Sequence, residues 1–374
     1  MFRWIKNVAY LSAKELRSLL SDPVLVVLIV YMFSLVLYTV ANSITTEVKN
    51  ASVAIVDHDH SALSYRLQQS LLPPNFKKVN TVKAEEVDRL MDVGEYTFVL
   101  DIPSDYEKDV LAGRNPQIQL LVDATAMTQA SIGSSYISQI FGREINEFLH
   151  ISETETPLKA TVNVLYNPNY SSKWFLGGMN IVGNLNLLTM LLVGAAVIRE
   201  RERGTLEHIL VMPVRSSEIA MSKIFANGLV LLVVVTLALR FISHSVLGVP
   251  LPDGSIPLFI LGVAVFIFSI ASLGIMLAIF APTMPQFGLL VLPVYIMLYL
   301  LSGTASPVEN MPELAQHLTQ FSPTTIFAAY TQDILFRGAG LDIVWDKLAK
   351  MSALGALFLG IALMQFKTML SKQG

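Results

Sequence analysis

The chain has 374 residues, 53% of them hydrophobic and 15% charged, with a net charge of −3 and no cysteine. That balance excludes an ordinary soluble enzyme, and the missing cysteine excludes disulfides, a thiol nucleophile and thiolate metal sites. A polytopic membrane protein fits best.

Residues 2 to 20 set Phe2, Trp4, Ile5, Val8, Leu11, Leu16 and Leu19 against Arg3, Lys6, Lys14 and Arg17, the pattern of a basic amphipathic helix on a membrane surface. Asp22-Pro23 then offers a cap and a first-turn proline for a span over Val24 to Val40. This apolar run starts late and no small-residue cleavage site follows it, so no cleavable signal peptide is expected.

Between Ile44 and Ser172, ten Lys/Arg face seventeen Asp/Glu, and the pattern becomes that of a separate soluble domain. Strands are expected at Ser52–Val56, Phe76–Thr81, Tyr96–Leu100, Gln117–Val122 and Lys159–Leu165. Helices are expected at Ser61–Leu71, Ala84–Asp92 and Thr128–Leu149, giving an α/β sandwich with a mixed sheet. Within it, Asp57-His58-Asp59-His60 has metal-ligand residue types, but no third and fourth ligands can be named. Capping of the helix that begins near Ser61 is the stronger reading.

Trp174-Phe175 makes an interfacial anchor before a second span over Leu176 to Ile198. Arg199-Glu200-Arg201-Glu202-Arg203 closes it. As an interfacial anchor this run predicts i, i+3 ion pairs of Arg199 with Glu202 and of Glu200 with Arg203. The next helix, short and stopped by Pro213, carries Leu206, Ile209 and Leu210 at i, i+3, i+4 spacing, a stripe suited to a groove on a soluble partner, with membrane-surface binding as the alternative. Ser216-Ser217-Glu218 offers the N-cap for a third span, Ile224 to Leu247. A fourth follows over Leu258 to Phe280, and a fifth over Phe287 to Ser302 with a proline kink at Pro293. Two short helices, Pro312–Gln320 and Thr324–Arg337, are expected with Asn310 and Thr324 as caps, before a last span over Leu348 to Phe366.

Six spans put both termini on one side. The surface helix, the 199–223 segment and the tail hold eleven Lys/Arg, whereas the opposite side, apart from the large domain and Lys173, holds three: Arg337, Lys347 and Lys350. Both termini and the charged run are therefore expected in the cytoplasm, with the acidic domain outside.

No Gly-Lys dipeptide occurs, so the chain has no phosphate-cradling loop of the G-x-x-x-x-G-K-[ST] type. None of the remaining histidines, His150, His208, His244 and His317, sits near a paired carboxylate at catalytic spacing, and no catalytic or metal site is expected. Polar residues inside spans draw more attention. Asn180 and Asn184, one turn apart, would line a substrate route or bond helix to helix, with packing favoured. Tyr295 and Tyr299 pose the same choice. Arg240, late in the third span, reads as snorkelling to the outer interface, with a substrate-facing role as the lesser alternative.

The run Arg199-Glu200-Arg201-Glu202-x-Gly204-Thr205-Leu206-Glu207-x-x-Leu210-Val211-x-Pro213, with Glu218-Ile219 and Lys223 after it, resembles the signature of type-2 ABC transporter permeases. Ser302-Gly303-x-x-Ser306-Pro307-Val308-Glu309-Asn310-Met311-Pro312 and Phe321-Ser322-Pro323 are similar to that family too. So are Tyr166-Asn167-Pro168-Asn169 and the large domain between the first two spans, as in the bacterial multidrug-export branch. Thr304-Ala305 departs from the bulkier residues of the family, so contacts at that lip are not carried over.

The resemblance implies an α-helical polytopic membrane protein of six transmembrane helices, with the type-2 ABC exporter permease fold and an inserted α/β extracytoplasmic domain. Residues 1–22 would be a cytoplasmic elbow helix, 23–43 the first transmembrane helix and 44–173 a periplasmic domain. Residues 174–374 would hold five further spans, with a cytoplasmic coupling segment at 199–223 and outer re-entrant helices at 306–340. Glu202, Gly204, Thr205, Leu206, Glu207, Ile209, Leu210, Met212 and Pro213 would contact a cytoplasmic ABC ATPase, which alone binds ATP and Mg; this chain would bind no cofactor. A second permease copy, identical or paralogous, would complete a dimer in the bacterial inner membrane among its lipids. A periplasmic adaptor and an outer-membrane channel are further implied partners, and nucleic acid is not. ATPase closure would rock the spans and export a hydrophobic or amphiphilic cargo. The alternative is an ATPase-coupled mechanical element that works a periplasmic partner without carrying substrate.

Overall fold

The computed structural model describes residues 2–43, 48–125, 127–150, 165–167, 171–202, 214–252, 254–304 and 307–371. It divides into two compact units, one of residues 1–43 with 173–374 and one of residues 44–172.

The first unit is helical. Helix α1 spans Phe2–Leu20 and α2 Pro23–Ser43, joined where the Asp22 carboxylate accepts the Val24 and Leu25 amides, with Pro23 in the first turn as expected. After the second unit come α7 (Ser172–Glu202), α8 (Ser216–Val246) and α9 (Ser255–Phe280), and after them α10 (Met284–Leu300). The short helices α11 (Glu313–Thr319) and α12 (Pro323–Leu335) precede α13 (Leu341–Ser371). Among the described residues, five helices are long and apolar enough to cross a membrane: α2, α7, α8, α9 and the Leu341–Gln365 part of α13. The expected fifth span corresponds to α10, whose 17 residues lie at the short end of the range that spans hydrocarbon.

Some local details differ from expectation. Helix α7 runs past Ile198 to Glu202 because its terminal charges find partners on other elements. Helix α8 begins at Ser216, beside the expected cap, but neither Ser216 nor Ser217 is the capping residue. Arg215 holds that position, and Glu218 reaches back to accept its amide at 2.8 Å, the return half of a capping box. Helix α12 is capped by Ser322 instead of Thr324, and α11 begins after Pro312 without a side-chain cap from Asn310. Two π-helical stretches, Met32–Val36 in α2 and Ala238–Val246 in α8, carry no signal in the hydrophobic pattern.

Helix α7 is the core of this unit. Of its most apolar stretch 89% is buried, against 22% for α2 and 17% for α13, so α7 is central and the other two are peripheral. Close helix approach depends on small residues. At Gly274 of α9, a Cβ would lie 3.1 Å from the Met190 backbone of α7. Helix α12 is buried on nearly every side, with Phe327 in a ring stack against Phe266 at 4.2 Å and Tyr330 fully enclosed.

The second unit is built on a four-stranded sheet of order β2-β1-β3-β4, from β1 (Val53–Asp57), β2 (Asn80–Thr81), β3 (Phe98–Ile102) and β4 (Gln119–Val122). Strands β2 and β3 run parallel to β1, and β4 antiparallel to β3, so the sheet is mixed. Alternation along β1 and β3 places Val53, Ile55, Phe98 and Leu100 on one face, packed by α3 (Ala62–Ser70) and α6 (Met127–Phe148). Ala54, Val56 and Val99 face the other side, with Val87 of α4 (Val87–Asp92). Of the expected strand at Phe76–Thr81 only the last two residues join the sheet, at an edge, where strands are commonly short. Helix α5 (Tyr106–Leu111) is additional, and the expected strand at Lys159–Leu165 lies, but for Leu165, outside the described residues.

Candidate coupling site

Four consecutive residues at the end of α7 reach four different places. Successive helical side chains are turned by about 100°, so an unbroken charged run at a helix end faces every direction. Arg199 pairs with Asp22 at the joint between α1 and α2 at 3.3 Å. Glu200 meets Lys223 of α8 at 2.8 Å and Lys14 of α1 at 3.4 Å. Arg201 donates to the carbonyls of Ala281 and Ile279, at 3.0 and 3.5 Å, where α9 ends. Glu202 accepts the Met284 amide at 2.9 Å, where α10 begins. A cation on the last carbonyls of one helix and a carboxylate on the first amide of the next is the arrangement helix dipoles favour. Of the pairs expected within α7, Arg199 bonds Asp22 instead of Glu202, while the expected pair of Glu200 with Arg203 lies outside the described residues; Glu200 meets Lys223 and Lys14.

Helix α1 is seated on the first turns of α8 by a row of polar contacts. Trp4 Nε1 donates to Ser217 Oγ at 3.3 Å, Asn7 Nδ2 to Glu218 Oε2 at 3.3 Å, and Ser12 Oγ to the Ser222 carbonyl at 3.2 Å. Lys223 closes the row. Its ammonium, almost wholly buried, meets Glu15 Oε1 at 3.0 Å and the Ala196 carbonyl at 3.0 Å in addition to Glu200. Burial pushes the Glu15 carboxyl above its ordinary value and the neighbouring Glu200 carboxylate pushes the same way, against the pull of Lys223. Glu15 was visible in the sequence only as a polar residue of an amphipathic helix, and Lys223 only as part of a motif.

Gly204, Thr205, Leu206, Glu207, Ile209, Leu210, Met212 and Pro213 lie outside the described residues. The structure places both flanks of that stretch, Glu202 and Arg215, in the polar cluster just described.

The polar residues within the spans do not converge on one route. Asn180 donates to the Leu176 carbonyl of its own helix, whereas Asn184 crosses to α2 and donates to the Met32 carbonyl at 2.8 Å, where the π-helical stretch starts. Tyr295 and Tyr299 stack on one another at 5.9 Å, and a Cβ at Gly183 of α7 would lie 2.7 Å from the Tyr299 ring. These three form part of the contact of α10 with α7, which Phe287 against Gly194 continues. Asn186, absent from the sequence-based set, is fully buried and donates to Thr324 of α12 at 3.1 Å. The Arg240 side chain is exposed in the π-helical stretch of α8.

At the opposite end of α7, Phe175 packs on Phe336 at 5.7 Å beside a polar recess of about 440 Å³ lined by Ser302, Thr304, Glu309, Gln332 and Arg337 among others. The buried Asp333 of α12 is held there by Arg337 at 2.5 Å and by Lys347 of α13 at 2.8 Å. In the second unit, the Asp57 carboxylate accepts the Asp59 and His60 amides and the Ser64 hydroxyl, while Ser61 caps α3. Strand-end capping accounts for the Asp57 side chain.

Residues 21–364 match the family model described as ABC-2 family transporter protein. Over 367 residues, 98% of each chain, the protein is 44% identical to the inner membrane transport permease YhhJ of Escherichia coli (strain K12). It is 30% identical over 339 residues, 90% of this chain and 91% of the relative, to the probable multidrug ABC transporter permease YbhR of the same organism. To the probable multidrug ABC transporter permease YbhS it is 21% identical over 373 residues. The chain belongs to the ABC-2 family of transporter permeases.

Proposed function

We propose that the protein is the permease subunit of an ATP-driven exporter in the bacterial inner membrane, moving a hydrophobic or amphiphilic substrate outward. The observation that carries the reading is the convergence of α1, α2, α8, α9 and α10 on the charged end of α7, next to segment 203–213. A force applied there reaches most of the bundle through short polar contacts. A separate ATPase supplies the force, because the chain has no phosphate-cradling loop of its own. Leu206, Ile209 and Leu210 form the docking stripe, with Gly204, Thr205, Glu207, Met212 and Pro213 around it. The relatives' names, transport permease and probable multidrug ABC transporter permease, support transport, and the second favours drug-like cargo.

In this reading Met284–Leu300 is the sixth span, and α11 and α12 are the re-entrant pair. Exposed apolar side chains such as Val24, Val27 and Tyr31 of α2 and Leu289 and Met297 of α10 face lipid or a second permease copy. The 44–172 unit lies outside the membrane, where a periplasmic adaptor leading to an outer-membrane channel is its partner. Changing Leu206, Ile209 and Leu210 together to Asp is the direct test. The expected outcome is loss of co-purification with the ATPase and of its stimulation; full retention of both would remove the stripe from the coupling interface.

A further inference from the structure

Among the described residues, Lys223 is the charged side chain most completely withdrawn from water, at 2% exposed; its ammonium donates to Glu15 Oε1 and to the Ala196 carbonyl and lies in an ion pair with Glu200 Oε2 at 2.8 Å. These partners belong to two other elements: Glu15 to α1, Glu200 and the Ala196 carbonyl to α7. Two carboxylates, Glu15 and Glu200, are matched by two ammonium groups, Lys223 and Lys14, so the cluster is neutral as a whole and complete only while α1, α7 and α8 keep their mutual positions. Apolar contacts between helices are non-directional and permit sliding, whereas a buried ammonium with two hydrogen-bond acceptors and an ion-pair partner on two other helices fixes their relative position. The contacts of Trp4, Asn7 and Ser12 extend the seat without replacing it, since each joins α1 to α8 alone.

We propose that Lys223 is a positioning residue for transport, clasping α1 to the ends of α7 and α8 so that the three shift as one body when the ATPase drives them. Helix α1 is then a working part of the transmission as well as a surface anchor. The proposal rests on the reading of segment 203–213 as the ATPase contact.

The test uses the full permease with the ATPase that co-purifies with it, as wild type, K223M, K223E and the swap E15K/K223E, which restores the ion pair between α1 and α8 with its charges exchanged. Hydrogen exchange is followed in α1 and in the last turn of α7, with and without ATP plus vanadate, alongside transport per ATP hydrolysed. In the wild type both regions are expected to change together on nucleotide binding. In K223M the α7 end still responds while α1 no longer follows, and transport per ATP falls about tenfold, within the range of a typical coupling energy. The swap is expected to recover part of the loss that K223E alone produces. A wild-type α1 indifferent to nucleotide while α7 responds would overturn the proposal, as would a K223M in which α1 stays in step, or a swap no better than K223E. A wild type in which neither region responds would instead overturn the coupling reading, and the proposal with it.

Discussion

At the scale of single residues, the end of α7 illustrates how an identical string of charges is read differently by spacing and by structure. Spacing along one helix offers Arg199 only Glu202, and Glu200 only Arg203. In the fold, distant elements supply partners for the same side chains: Asp22, Lys14 and Lys223 lie 23 or more positions from their α7 partners in sequence. The positions of the charges were therefore legible, and their partners were not. Glu15 gives this arrangement a pH dependence. Its carboxyl is raised from the ordinary value of 4.5, by burial first, with Glu200 of α7 reinforcing and Lys223 of α8 opposing the shift. A group raised on docking stabilises the docked form fully below the free value, and that contribution is lost as pH rises through the docked value. Seating of α1 is thus expected to tighten as pH falls toward the ordinary carboxylate range, measured as a rise in the protection of α1 amides relative to their intrinsic exchange rate at each pH. E15Q, which carries no titrating group, is expected to flatten that dependence; an unchanged slope in E15Q would assign it to another group.

Among the elements, long apolar helices and the alternating strands of the second unit were legible because burial on a helix face or a sheet face imposes a period on the sequence. Helix α12 was legible as a helix but not as a buried one. Its Tyr330 reads as an ordinary amphipathic residue, yet it is wholly enclosed, with its hydroxyl donating to the Leu258 carbonyl of α9 at 2.5 Å and its ring against Gly262. A Cβ on Gly262 would overlap that ring, which stacked Phe327 helps hold in place. Two substitutions separate the polar from the steric part. Tyr330→Phe removes one hydrogen bond and is expected to cost about 1 kcal/mol. Gly262→Ala forces the ring or the helix to shift and is expected to cost about 1–3 kcal/mol, the range for overpacked cores. Thermal unfolding of the detergent-solubilised permease checks the order. A larger loss in Tyr330→Phe than in Gly262→Ala would mean that the hydroxyl, and not the close approach, holds α12 against α9. The π-helical stretches and the seat of α1 on α8 left no trace in the hydrophobic period, because both depend on polar contacts with distant residues.

Across the whole molecule, the arrangement of the first unit bears on which way the chain crosses the membrane. The count of basic residues assigns α1, segment 199–223 and the tail to one side, and Arg337, Lys347 and Lys350 to the other. The fold groups them independently of that count. Lys14 and Lys223 share Glu200 at one end of α7. Arg337 and Lys347 share Asp333 near the other end, where Phe336 meets Phe175. Two clusters at opposite ends of a 31-residue helix, about 46 Å long at 1.5 Å per residue, are far enough apart to face opposite sides of a bilayer. By the bias of basic residues the richer cluster is expected in the cytoplasm, where positively charged flanks are retained during insertion. A phosphatase reporter, active only outside the cytoplasm, is therefore expected to be active when fused after Thr46 and silent when fused after Arg203, with a fluorescent reporter at the same positions giving the inverse. The reverse pattern would turn the permease over and place the charged end of α7 where no cytoplasmic ATPase can reach it, overturning topology and coupling together. Silence of the phosphatase at both positions would break the single crossing expected between Thr46 and Arg203.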